Sequence, residues 1–457
     1  MSAPDNRQPT PTHARYWVIV FAVTLAIIQY IDRVCISQAA PDISAELGLS
    51  TQQMGYVFSA FTLAYALFEI PTGWLGDKIG PRKVLLRIVL WWSFFTAATG
   101  WAWNLVSLVT ARFLFGAGEA GCFPNLTKAF SAWLPTRDRT RAQAWMWLGA
   151  RWGGASAPLL VVAVMTLVSW RATFMVFALL GLVWAVIFWR WFRDNPRDHK
   201  GVNAAELELL KENEQNVHGH GNVPWGKLAT RPVVWLLGAQ YFCLSYGWYF
   251  YVTWLPTYLR DARGMDIKTN AVMKWLADVL EGALSPETTL KVLAAALAGI
   301  PLLFGGVGSL VAGVISSRLI ARTGRITFVR RAFGCVGLTG AAALLMTSFY
   351  IRDPLLAMLS MGLASFFNDT TLPGSWATCM DVGGKYAGTV SGSMNMLGNF
   401  GGMAGPIVVG HVLAWTNRDW QLTFAISAGV YLLGAFCWLF IDPVTPLEKN
   451  AGDSKGA

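Results

Sequence analysis

Twelve stretches of about 20 mostly apolar residues lie between Trp17 and Ile441, starting near residues 17, 53, 84, 107, 142, 172, 233, 290, 328, 353, 385 and 420. At the helical rise, about 20 residues cross the hydrocarbon core of a bilayer. Lipid offers a backbone no hydrogen bonds, so such stretches fold as helices, and the expectation is an all-α membrane protein of twelve transmembrane helices. Composition agrees, with 54% hydrophobic and only 14% charged residues, against roughly 25% charged in ordinary soluble domains. The first stretch is longer than the apolar region of a secretory signal, and no small-residue cleavage site closes it, so it reads as a retained span.

The net charge of +10 raises the question of a nucleic-acid partner. The bases answer it by their placement. Lys78, Arg82, Lys83 and Arg87 follow span 2, Lys128, Arg137, Arg139 and Arg141 follow span 4, and Arg318, Arg322, Arg325, Arg330 and Arg331 follow span 8. Bases confined to alternate loops are the positive-inside pattern, which places both termini in the cytoplasm and gives no nucleic-acid surface. The cysteines Cys35, Cys122, Cys243, Cys335, Cys379 and Cys437 are scattered without metal-ligand spacing and are given neither a disulfide nor a metal role.

The longest polar stretch, residues 193–232, contains His218 and His220 and divides six spans from six. The expected organisation is a cytoplasmic tail (1–16), a six-helix bundle (17–192), a cytoplasmic linker (193–232), a second six-helix bundle (233–441) and a cytoplasmic tail (442–457). The two bundles repeat each other. Gly153-Gly154-Ala155-Ser156-Ala157-Pro158 in span 5 matches Gly401-Gly402-Met403-Ala404-Gly405-Pro406 in span 11, 248 residues on. Trp170-Arg171-Ala172-Thr173-Phe174 matches Trp420-Gln421-Leu422-Thr423-Phe424, 250 residues on. Parallel repeats around a midplane site are a transporter architecture, and the paired glycines also serve plain close packing of helices. About 260–289 is a polar insertion on the non-cytoplasmic side, with Val272, Trp275, Leu276, Val279 and Leu280 spaced as in an amphipathic surface helix.

Between spans 2 and 3 stands Gly73-Trp74-Leu75-Gly76-Asp77-Lys78-Ile79-Gly80-Pro81-Arg82-Lys83, which resembles the signature loop of the major facilitator superfamily. Asp77, Arg82 and the other bases then form a charge network that latches one face. The matching loop of the second half, Gly313 to Gly324, is degenerate: it keeps Arg318 and has Ser317 where an acid would match. A narrower resemblance rests on Tyr30-Ile31-Asp32-Arg33 and on Phe115-Gly116-Ala117-Gly118-Glu119-Ala120-Gly121-Cys122-Phe123-Pro124. These look like the anion:cation symporter family, which includes bacterial carriers of hexuronates and aldonates and animal carriers of sialate or glutamate. The resemblance implies two pseudo-symmetric six-helix bundles in a bacterial inner membrane. It also implies a substrate-binding Arg at position 33, Tyr65 on the cavity wall, and proton-coupling acids at Asp32 and Glu119.

Ionisable groups in spans are costly and therefore functional candidates. Asp32, Arg33, Arg112, Glu119 and Arg151 stand out, with Asp369 a sixth. Tyr30 and Arg33, three apart, share a helix face, while Asp32 points about 100° away from Arg33. The planar, permanently charged fork of Arg33 suits a carboxylate anchor, and plain neutralisation of Asp32 or another acid is its other reading. A carboxyl in an apolar span can be switched by a proton or by a moving Arg, the logic of a coupling residue. Arg112, seven residues before Glu119, reads as a gating or structural charge in contact with Glu119 or backbone. Arg151 and Asn399 occupy equivalent places in the repeat, which suggests that both line the site; pairing of Arg151 with Asp369 is the alternative. Ser375, Trp376, Asn395 and Asn399 are candidate hydroxyl binders, since amides and hydroxyls both donate and accept. The tryptophans near span ends, among them Trp91, Trp92, Trp101, Trp103, Trp170, Trp189 and Trp191, read as interface belts.

The expectation is a proton-coupled importer of a sugar acid such as galacturonate, glucuronate or galactonate, working as a monomer on the proton gradient with no cofactor and no metal. Export or exchange of an aromatic or dicarboxylic acid is the other transport reading. No loop carries a nucleophile and base, a phosphate-cradling loop or a metal cluster, which argues against an enzyme. A nutrient receptor would add a signalling domain.

Overall fold

Short polar signals fix where each apolar stretch becomes helix. Ser50 and Gln53 cap α2 (Thr51–Ile79) reciprocally, Asn104 and Ser107 do the same for α4 (Leu105–Glu119), and the Ser169 hydroxyl caps α7 (Trp170–Trp191). The computed structural model describes residues 10–214, 223–254, 286–417 and 419–447, together with positions 258, 274, 275 and 278. The first half holds α1 (Ala14–Leu47), α2, α3 (Pro81–Gly100), α4, α5 (Cys122–Trp133), α6 (Thr136–Met165) and α7; α8 (Ala204–Leu209) and α9 (Trp225–Thr230) follow. The second half holds α10 (Pro232–Thr253), α11 (Pro286–Thr323), α12 (Ile326–Tyr350), α13 (Pro354–Asp369), α14 (Leu372–Gly383), α15 (Ala387–Trp415) and α16 (Trp420–Phe440). Span 4 is α4 with α5 and span 10 is α13 with α14, so all twelve expected spans are helical. Among the described residues nine helical stretches are long and apolar enough to cross a membrane, and one of these, Leu356–Trp415, runs through two spans. The other two spans are α3, whose first two turns carry Arg82, Lys83 and Arg87, and α10, whose sequence is rich in Trp and Tyr.

Packing repeats with the sequence. In the first half α1 packs on α6, α2 on α4 and α3 on α7; in the second, α10 packs on α15, α11 on α13 and α12 on α16. The halves meet through α6 against α11 and α2 against α15, which exchange under the same two-fold relation. The Gly-Gly pairs show why. A side chain at Gly154 would meet the ring of Tyr30 at 2.8 Å, and one at Gly402 would meet the ring of Tyr249 at 2.4 Å, so equivalent glycines seat equivalent tyrosines.

The linker is more structured than its polarity suggests. The buried Glu206 of α8 accepts from the Arg15 amide at 3.1 Å and from Arg15 Nη1 at 2.9 Å, placing an anion at the start of α1. Asp194, just past α7, accepts from the Arg82 amide at 2.8 Å, and burial pushes its carboxyl above the ordinary value against the pull of Arg82. His218, His220, the tail beyond 447 and most of the 260–289 insertion, with Val272, Leu276, Val279 and Leu280 of its expected surface helix, lie outside the described residues.

Candidate functional site

At the centre of the first half, α4 ends on Glu119 because the chain leaves helical geometry at Ala120-Gly121. Gly121 takes φ +79°, and a side chain there would strike Thr72 of α2 at 2.5 Å. The break carries Glu119 to Arg33 of α1, whose Nε donates to Oε1 at 2.5 Å. The Arg33 guanidinium lies 4.4 Å from the Tyr65 ring and 5.5 Å from that of Tyr30. Its Nη2 is buried and makes no hydrogen bond, so one edge of the fork is unpaired. Arg33 thus neutralises an acid, as its alternative reading has it, but the acid is Glu119 and not Asp32.

Asp32 points the other way, as the helical spacing requires. It is buried, neither carboxylate oxygen accepts a hydrogen bond, and it faces Glu119, Arg112 and Trp92. Trp92 is therefore a core residue beside an acid, correcting its assignment to an interface belt; Trp170 is also buried, whereas Trp91, Trp101, Trp103 and Trp189 are exposed. Arg112 spreads over the rings of Phe115 at 4.3 Å and Phe61 at 5.2 Å, and its Nε and Nη1 make no hydrogen bond. It neighbours Glu119 without the expected direct contact.

Across the seam between halves, Arg151 of α6 donates to Asp369 of α13 from Nε at 2.5 Å and from Nη2 at 3.0 Å. Both are buried, Asn368 Nδ2 adds a bond to Asp369 at 2.8 Å, and the Trp248 ring covers the guanidinium at 4.3 Å. This is the pairing alternative for Arg151. On the other flank Asn395 Nδ2 donates to Glu69 of α2 at 2.7 Å, and Asn399 Nδ2 donates back to the Asn395 carbonyl at 2.9 Å. Ser375 is buried with its hydroxyl on the Thr371 carbonyl at 3.0 Å and beside Gln240. Trp376 donates to Tyr241 at 3.1 Å and packs against Trp147 and Phe123. Trp376 thus packs between the halves, while Ser375 sits in packed protein within the second half.

Sequence reasoning missed Glu69 and Tyr249. Glu69 is an acid in an apolar span, the same signal that found Glu119. Tyr249 was reachable through the repeat, and it neighbours both Arg33 and Arg151.

The model of the Major Facilitator Superfamily matches residues 22–406. The chain belongs to the major facilitator superfamily. The probable sulfoacetate transporter of Cupriavidus necator is 35% identical over 448 residues, covering 97% of this chain and 98% of that protein. The probable galactarate/D-glucarate transporter of Escherichia coli is 31% identical, covering 89% and 88%. Among solved structures, a proton:xylose symporter with 6-bromo-6-deoxy-D-glucose bound superposes with a TM-score of 0.69 at 14% identity, over 95% of this chain and 98% of that one. This superfamily member is a multi-pass membrane transporter, not an enzyme.

On the side of the basic loops the superfamily's signature loop meets the opposite half. Asp77 accepts from the amides of Gly388 at 3.0 Å and Thr389 at 2.6 Å, capping the start of α15, and Lys128 Nζ lies 3.7 Å from it. Asp381 of α14 holds Arg139 of α6 and Arg330 of α12, each at 2.5 Å. Arg82 stays within its own half, on the Trp189 carbonyl and ring, and Arg318 is exposed. The closed seam depends on bare backbone: a side chain at Gly73 would lie 2.4 Å from the Gly388 carbonyl oxygen. Gly73→Val is expected to cut transport at least about tenfold, since the face can no longer close. Normal uptake by Gly73→Val at equal membrane abundance would remove this seam from the cycle.

Proposed function

We propose that this transporter carries small organic acids, sugar acids of the hexuronate and aldonate class foremost, together with protons by alternating access. Its setting in this reading is a bacterial inner membrane, as a monomer with both termini in the cytoplasm. The observation that carries the reading is the state of Arg33: a guanidinium flanked by Tyr30 and Tyr65, with Nε on Glu119 and Nη2 without a partner. A substrate carboxylate that reaches the unpaired edge competes with Glu119 for the fork. Once displaced, Glu119 is a buried carboxylate without its counter-ion, and a proton is the cheapest neutraliser. Anion binding and proton uptake are then one event. Asp32, buried with no hydrogen bond, takes the second proton-exchanging role.

A second reading, acids with two ionic groups, is favoured by Arg151, a second guanidinium whose present partner is a carboxylate of the protein. Sulfoacetate, galactarate and glucarate, named for the relatives, each carry two acid groups. Purified protein in liposomes, given labelled galacturonate, glucuronate or galactonate, is expected to accumulate at least one of them only under an inward proton gradient. If folded protein takes up none of them, the sugar-acid assignment falls.

A further inference from the structure

Glu69 lies one turn after Tyr65 on α2, is fully buried, and belongs to no role described above. Its Oε1 accepts from Asn395 Nδ2 of the other half at 2.7 Å, while its Oε2 has no hydrogen bond. The groups that face it are Tyr65 on its own helix, Arg33 of α1, the Gly121 amide and Cys122 at the break between α4 and α5, and Asn395 of α15. Arg33 is the one cation among these, and its Nε is already committed to Glu119.

Charge balance sharpens the point. Among the described residues, the charges at the centre of the spans are the guanidiniums of Arg33, Arg112 and Arg151 and the carboxyls of Asp32, Glu69, Glu119 and Asp369. Three cations face four acids, so with every group ionised the empty site is already one negative charge in excess. An arriving anion adds to that excess in a medium where an uncompensated charge is costly.

We propose that Glu69 carries a proton through the transport cycle, in addition to those exchanged at Asp32 and Glu119. With the α2–α15 seam closed, Oε2 holds the proton and Oε1 holds Asn395. When the seam opens toward the basic-loop side, the bond to Asn395 breaks and water reaches the carboxyl. The proton then passes from Oε2 to that water, leaving the carboxylate. On closure Asn395 binds the carboxylate again, and Oε2 takes its next proton from the opposite, open side together with the arriving anion. This role rests on the proton-coupled reading above and adds one proton per cycle to it.

The test is the proton-to-substrate ratio, read from the reversal potential of labelled galactonate and galactarate flux in liposomes, for wild type and Glu69→Gln. Gln keeps an acceptor for Asn395 and presents an amide in place of the protonated oxygen, so the fold and the seam are retained. The expected result is a ratio lower by one, with substrate counterflow within about twofold of wild type. An unchanged ratio in a proton-coupled wild type overturns the role of Glu69 alone. Loss of counterflow in folded Glu69→Gln also overturns it, making Glu69 an acceptor that positions Asn395. A wild type whose flux ignores the proton gradient removes the coupling reading and this role with it.

Discussion

Arg33→Ala is expected to reduce uptake at least about 100-fold at every substrate concentration tested, with the protein still folded and present in the membrane. Truncating one partner of a buried, hydrogen-bonded charge pair costs about 2–5 kcal/mol, or roughly 30-fold to several-thousand-fold in binding. Two further terms push the loss toward the upper end. Glu119 loses its ion-pair partner and is left a buried acid, and the Tyr65 and Tyr30 rings lose the cation beside them. Arg33→Lys separates charge from geometry: Lys keeps the charge but cannot engage Glu119 and a substrate carboxylate through two edges of one plane. Arg33→Lys is expected to retain weak counterflow and to lose accumulation. Glu119→Gln should show the complementary defect, binding and exchanging substrate while failing to concentrate it. Accumulation that survives Arg33→Ala would mean the anion is held elsewhere.

How much of this could be read beforehand divides along a physical line. The twelve spans were legible because lipid demands a fixed length of apolar helix, a property of consecutive residues. The two-fold repeat was legible because the glycine pairs and the Trp-x-x-Thr-Phe segments recur at nearly the same offset, 248 and 250 residues, and the packing of α1 on α6 and of α10 on α15 follows from them. The charged candidates were legible because ionisable groups are rare in a span. Their partners were not. That Arg33 meets Glu119 depends on the helix break at Gly121, and that Arg151 meets Asp369, 218 residues on, depends on how the two halves close. Asp381, which ties Arg139 to Arg330 across the seam, had no motif to mark it. Trp92 was misplaced because nearness to a span end does not say which face of the helix a ring occupies. Glu69 was overlooked although the rule that singled out Glu119 applies to it, for it stands in the span just before the Gly73 to Lys83 loop.

The Arg151–Asp369 pair yields the other large effect, and its sign differs between stability and selectivity. Arg151→Gln leaves Asp369 buried without a cation, and Asp369→Asn leaves Arg151 in the same position; breaking a buried pair from one side costs about 3–5 kcal/mol. Both single variants are therefore expected to fall in abundance and thermal stability. The double variant Arg151→Gln with Asp369→Asn removes both charges at once and keeps amides that can bond each other. Its stability is expected to recover most of what either single variant loses, a coupling of at least about 2 kcal/mol. Transport then reports what the pair is for. A two-acid substrate that uses Arg151 by displacing Asp369 loses its second anchor in the double variant, whereas a one-acid substrate held at Arg33 does not. Uptake of galactarate and sulfoacetate by the stable double variant is accordingly expected to drop at least about tenfold relative to galactonate. An equal effect on all three would leave the pair as a strut between the halves, and a double variant no more stable than the singles would show that the two charges are not coupled.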